Sequence, residues 1–202
     1  MNAQGDSMFD FLTLPDDHAI TILKKDHERV KQLFDEFEKA EGKAAREKII
    51  GEAVTELKIH ALLEEEIFYP AVRQHVGADL MNEADEEHHL AKVLIAELDA
   101  GVGDPGHRVA KFTVLSESVR HHIKDEEGEV LPKAKSADID FVALGHKMMA
   151  RKKQLLAKGI PADAEHRAVA KSGNADSPAK AAKRRKPAVA KRAPAKRRVR
   201  TA

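Results

Sequence analysis

The stretch His60-Ala61-Leu62-Leu63-Glu64-Glu65-Glu66-Ile67-Phe68-Tyr69-Pro70 aligns without a gap on His122-Ile123-Lys124-Asp125-Glu126-Glu127-Gly128-Glu129-Val130-Leu131-Pro132. Upstream, Asp26-His27 with Phe34 and Phe37 matches Glu87-His88 with Ile95 and Leu98. The intervals from His27 to His60 and from His88 to His122 are 33 and 34 residues. The chain therefore reads as one helical hairpin, duplicated.

Helix formers dominate residues 17–158, and glycine and proline fall at intervals that punctuate helices. The pattern predicts a first helix capped by Asp16 or Asp17 and ending before Gly42. A second runs from about Ala44 toward Gly77, bent or interrupted at Pro70, which lacks an amide donor. Asp79 caps a third that ends before Gly101. A fourth follows the turn 101–106 and reaches Leu131-Pro132, and a fifth spans about Asp138 to Lys158. The fold class is all-α, an up-down four-helix bundle with a short fifth helix. The expected division is an extension at 1–15, a bundle at 16–160 and a disordered basic tail at 161–202.

Steps of three and four trace an apolar stripe on each helix. The stripes are Ile20, Leu23, His27, Val30, Phe34, Phe37; then Ile50, Ala53, Leu57, His60, Glu64, Ile67; then Met81, Ala84, His88, Ala91, Ile95, Leu98; and Phe112, Leu115, Val119, His122, Glu126. Each helix of the bundle thus turns one histidine to the core, and two add a glutamate one turn later. One such histidine alone is ordinary packing. Buried carboxylates are different, because without a partner they cost several kcal/mol or stay protonated, and no Lys or Arg is placed in these stripes nearby. Four imidazoles and two carboxylates at repeat-related positions point to a cation. His-x-x-x-Glu lets a histidine bind terminally while its glutamate reaches a second ion. The mixed nitrogen and oxygen set suits iron, with manganese or zinc as alternatives.

These two His-x-x-x-Glu-Glu repeats, each closing on a proline, resemble the hemerythrin-like HHE cation-binding domain over about residues 16–158. The resemblance implies a non-haem di-iron site that binds dioxygen reversibly, or senses or detoxifies oxygen, peroxide or nitric oxide. It implies His27, His60, His88 and His122 as terminal ligands and Glu64 and Glu126 as bridges. Oxygen-carrying hemerythrins place another histidine one turn after the first on the third helix. That position here is Lys92, which implies an additional open or water-filled metal position, and with it a reactive or sensing site or one metal bound more weakly than the other.

The other histidines are assigned lesser parts. His89 and His121 lie about 100° around their helices from the proposed ligands and become ligands only if the register is shifted. His146 follows Val142 and precedes Met149 at turn spacing on the fifth helix, with a role near the site as its lesser reading, and His18, His75, His107 and His166 are read as surface residues. Tyr69, the single tyrosine, is read as packing, with electron or proton relay as the other role.

The chain has 202 residues with 35 Lys plus Arg against 34 Asp plus Glu. From Lys171 onward stand 12 of those basic residues and one acid, Asp176, so the body carries about −10 and the tail about +11. The absence of cysteine excludes disulfides, thiolate nucleophiles and iron–sulfur ligation. No leader pattern and no run approaching 18 apolar residues is found, so the reading is a soluble, cytoplasmic protein with no membrane partner. The Ala-Lys-Arg-Pro tail resembles linker-histone tails in composition. Clusters such as Lys183-Arg184-Arg185-Lys186 are suited to phosphates without base readout. Nonspecific nucleic acid is therefore the expected partner of 171–202, with a nucleoid location. The competing reading is a nucleoid structural protein whose metal only stabilises the bundle. A true oxidase or peroxidase would need a substrate pocket that the sequence does not reveal.

Overall fold

The computed structural model describes residues 14–101 and 103–161. Seven α-helices lie within them: α1 (Ala19–Lys39), α2 (Lys43–Leu63), α3 (Tyr69–Val76), α4 (Ala78–Asp99), α5 (Pro105–Asp125), α6 (Leu131–Lys135) and α7 (Phe141–Lys158). α1 packs on α2 and α4 on α5, and the two hairpins close into a bundle, with α7 laid against α1 and α2. The all-α bundle with an added helix is as the sequence predicts. The extension before Leu14 and the basic tail lie outside the described residues.

Several boundaries differ from expectation. α1 is capped not by Asp16 or Asp17 but by His18, whose Nδ1 accepts from the Ile20 amide at 3.2 Å. α4 begins directly after Gly77, so Asp79 sits in its first turn rather than at its cap. α7 starts at Phe141, where the Asp140 carboxylate accepts from the Ala143 amide.

The larger difference follows each site glutamate. Glu64–Phe68 and Glu126–Val130 are wide π turns, closed by bonds from the Tyr69 and Leu131 amides to the carbonyls of Glu64 and Glu126. Pro70 and Pro132 come next, in the first turn of α3 and α6. Proline cannot donate to the carbonyl four residues back, so the preceding amide reaches one residue further instead. The additional residue turns the inward face by one position. Phe68 and Val130 are buried, and Ile67, expected inward by steps of three and four, is half-buried.

Two apolar cores result. One joins Val30, Leu33, Phe34, Ile50, Leu57, Ile95, Phe112 and Leu115 at the loop end of the hairpins. The other joins Ile20, Leu23, Ile59, Leu63, Phe68, Val72 and Leu131 with Phe141, Leu144 and Met148 of α7. α7 lies so close to the start of α1 that a Cβ on Gly145 would stand 1.9 Å from the Asp17 carbonyl oxygen. Between the cores, at mid-bundle, lies a polar layer.

Candidate metal centre

That layer holds all six of the expected residues, each buried: His27 from α1, His60 from α2, His88 from α4, His122 from α5, and Glu64 and Glu126 from the opening residues of the π turns. Two groups of donors form. His27, His60, Glu64 and Glu126 make one, and Glu64, His88 and His122 make the other, so Glu64 belongs to both. Glu64 Oε2 lies 3.2 Å from His60 Nε2 and 3.2 Å from His88 Nε2. His27 Nε2 lies 3.1 Å from Glu126 Oε2, and His88 Nε2 lies 3.3 Å from His122 Nε2. The ring pairs repeat as well, His27 with His60 at 4.8 Å between centroids and His88 with His122 at 4.7 Å.

These donors fit a cation. Two ligands each about 2.1 Å from one ion stand roughly 3.0–3.4 Å apart when they subtend 90–109°, which is the spacing seen. His27 Nε2, His60 Nε2 and both oxygens of Glu64 and Glu126 are buried with no hydrogen-bond partner in the protein. Buried polar atoms are nearly always paired, so six inward atoms left over on four side chains mark a place built for a positive guest.

The outward nitrogens are treated differently. His27 Nδ1 donates to Glu127 Oε1 at 2.9 Å, His88 Nδ1 to Glu65 Oε1 at 2.9 Å, and His122 Nδ1 to Glu87 Oε2 at 2.8 Å. His60 Nδ1 faces Asp26 Oδ2 at 4.0 Å. Each carboxylate fixes which nitrogen points inward and makes it more basic. Asp26 and Glu87 occupy equivalent places in the two repeats, as do Glu65 and Glu127, so the support is duplicated with the residues of the layer. The acids stand beside His27, His88, Glu64 and Glu126 in the sequence, but their roles are legible only once the crossing partners are known.

Cations secure this outer ring. Lys92 is buried and donates to Glu65, and its repeat equivalent Lys31 lies 3.9 Å from Glu127. Lys152 of α7 donates to Asp26 at 2.6 Å. The expectation that no Lys or Arg stands in these stripes nearby is thus corrected: Lys92, one turn after His88, is buried and reaches Glu65 in the ring of acids. Burial resists ionisation of Glu64, yet His60 and His88 hold its carboxyl well below the usual range. Burial also opposes charge on His88, but Glu64 and Glu65 raise it to about 9.

Tyr69 is more than packing. It is fully buried, and its hydroxyl lies 3.3 Å from His88 Nε2. Burial and the charges of Glu126 and Glu64 hold it well above its ordinary value, as the neutral O–H form. The residue before Pro70 turns inward because the π turn advances the register. Next to the imidazoles a cavity of about 30 Å³ opens, lined by Val30, Leu57, Ile95, Val119 and Ile123 with Lys92 at its wall. About 10–15 Å³ by the same measure admits one water, so the space matches a guest of two heavy atoms.

The remaining histidines stay outside. His146 pairs with Asp17 at 2.9 Å on the surface, away from the layer. His121 is exposed, His89 is half-buried on the flank of α4, and His107 pairs with Asp104. His18 caps α1 and stacks on Phe141 at 5.1 Å rather than standing free. His75 is exposed, and His166 lies outside the described residues.

The family profile of the Hemerythrin HHE cation binding domain matches residues 18–134, more than half of the chain and all four helices that carry the layer. A protein of Nostoc sp. named DNA nickase is 26% identical over 106 residues, which is 52% of this chain and 30% of that relative. The chain thus spans less than a third of that relative's length. No solved structure matches. Among the described residues no helix is long and apolar enough to cross a membrane.

Proposed function

The chain belongs to the hemerythrin HHE cation-binding family, and on that footing we propose that its bundle holds two iron ions and binds or senses dioxygen, peroxide or nitric oxide. His27 and His60 serve one ion, His88 and His122 the other, with Glu64 and Glu126 between them. The observation that carries this reading is the set of buried, inward-facing donor atoms with no partner in the protein. Manganese or zinc would satisfy the same donors, but zinc, which has no redox chemistry, could not reduce a guest in the adjoining cavity. Bound iron supplies the electrons for holding or reducing such a guest.

The protein's own part is to shape the surroundings. Glu127, Glu65 and Glu87 hold three imidazoles in orientation. Val30, Leu57, Ile95, Val119 and Ile123 give the cavity apolar walls. Lys92 places a positive charge at its wall, and the Tyr69 hydroxyl, held in its neutral O–H form, stands as a hydrogen-bond donor beside His88. Binding or sensing accounts for this arrangement better than turnover of a larger substrate.

The second part of the proposal is that residues 171–202 tether the bundle to nucleic acid, in a nucleoid setting. The tail's 12 basic residues against one acid support it, as does the likeness to a protein named DNA nickase. In this reading residues 16–160 are the metal-binding unit and 1–15 an extension.

The test is an absorption spectrum of freshly purified protein before and after dithionite and air. Bands that change reversibly with redox state support the di-iron reading. A spectrum indifferent to both reagents overturns it in favour of a structural cation in a nucleic-acid-associated protein.

A further inference from the structure

The duplicated hairpin presents two equivalent outer faces, and they are finished differently. In the first repeat the face beside His60 carries Ile59 and Leu63, both buried in the core that includes Phe141, Leu144 and Met148 of α7. The acid behind His60, Asp26, is met there by Lys152 of α7. In the second repeat the positions of Ile59 and Leu63 are held by His121 and Asp125. His121 is 63% exposed and Asp125 39%, and the acid behind His122 is Glu87.

These three side chains converge. His121 and Asp125 stand one turn apart on α5, with Asp125 Oδ2 3.3 Å from His121 Nε2. Glu87 comes across from α4 and brings Oε1 to 3.9 Å from the same nitrogen. Its other oxygen, Oε2, accepts from His122 Nδ1 at 2.8 Å. Ligands each about 2.1 Å from an ion are separated by about 3.0 Å at right angles and about 4.2 Å when opposite. Both separations fall within that span, so side chains alone can close on an ion. One imidazole and two carboxylates form a mixed donor set suited to a first-row divalent metal.

We propose that His121, Asp125 and Glu87 form a third cation site, on the surface, that takes a first-row divalent metal and shares Glu87 with the support of His122. The imported ion stands where the first repeat has the Lys152 ammonium. Three protein donors on an exposed face leave positions for water, so this ion exchanges readily, unlike those in the buried layer. The site does not depend on iron being the buried metal or on any diatomic guest, and it can be absent while the buried layer binds as proposed.

The experiment is a cobalt(II) titration of the full-length protein, followed by calorimetry and visible absorption, with wild type, His121→Ala and Asp125→Asn compared. Wild type binds one more cobalt per chain than His121→Ala, in a weaker phase, and Asp125→Asn weakens that phase by about tenfold or more. The tight phase is unchanged in both variants. His107→Ala, which removes the exposed His107–Asp104 pair at the opposite end of α5, leaves both phases as in wild type. Identical titrations for wild type and His121→Ala would overturn the proposal. Loss of the tight phase in His121→Ala would overturn it too, by making His121 a support of the buried layer instead of a ligand of its own.

Discussion

His60 Nδ1 and Asp26 Oδ2 face each other across 4.0 Å with neither hydrogen-bonded, although both are buried. The other three site imidazoles are held by glutamates at 2.8–2.9 Å. The gap has a covalent cause. Asp26 is one methylene shorter than its repeat equivalent Glu87, and its other oxygen is drawn to Lys152. Outer partners of metal-binding histidines are worth about 10- to 100-fold in metal affinity. Asp26→Glu closes the gap and should tighten the cation held by His27 and His60 by up to about tenfold, measured by competition with a chelator. Unchanged affinity would show that orientation of His60 does not limit binding.

Lys92 carries a second prediction. It is buried and bonded to Glu65, which also receives His88. Lys92→Met removes one partner of a largely buried pair while Glu65 keeps the other. Stability should fall by about 1–3 kcal/mol, read from urea unfolding of the cation-free protein. Lys92→His instead adds an imidazole beside the group of Glu64, His88 and His122 and should tighten cation binding there. If neither stability nor affinity moves, Lys92 has no part in the site.

The six residues of the polar layer are legible in the sequence because two constraints coincide on them. Each sits in an apolar stripe at helical spacing, and each has a partner in the other repeat, as His60 and Glu64 have in His122 and Glu126. The inward turn of Tyr69 is not legible. Steps of three and four carry the register past Glu64 unchanged, whereas the amide before Pro70 reaches five residues back and rotates everything after it. The outer ring is half visible. Lys31 and Lys92 are equivalent positions in the two repeats, a match that marks Lys92 as one of a pair of supports and not only as a missing histidine. Which acid serves which imidazole depends on how helices cross, as with Glu127 of the second repeat behind His27 of the first, and no local pattern encodes that.

The cation-free protein should have a distinctive stability profile with pH. Burial opposes charge on His88, but Glu64 and Glu65 raise its folded value to about 9 from an ordinary 6.5. A raised value stabilises the fold fully below 6.5, and that contribution is lost as pH climbs through about 9. Glu65 and Glu127, against burial, are lowered from 4.5 by His88 and His27, so their contribution is present above 4.5 and lost on acidification below it. Melting temperature without cations should therefore peak between about 4.5 and 6.5 and decline toward 9. Bound cations take the place of the protons and should flatten the alkaline decline. A cation-free melting temperature that rises steadily from neutral to alkaline pH would refute this assignment.

Nucleic-acid affinity should reside almost wholly in the tail. The body carries about −10 and is repelled by phosphate at low salt. If six to eight of the tail charges meet phosphates, log K should fall against log salt with a slope of roughly −5 to −7 and show little sequence preference. Truncation after Glu165 should abolish duplex binding and leave metal content intact, as gel shift and elemental analysis would report. A truncated protein that still shifts DNA at moderate salt would place the contact on the bundle.

Metal content per chain after anaerobic iron loading tests the central claim most directly. Glu64 belongs to both groups of donors, with Oε2 3.2 Å from His60 and from His88. The account predicts that, once readily exchanged surface ion has been removed by gel filtration, wild type holds two irons per chain, with loss at both positions in Glu64→Ala and no change in His75→Ala, whose side chain is exposed outside the layer. A wild-type content of one iron or none, or a Glu64→Ala variant that still holds two, would contradict it.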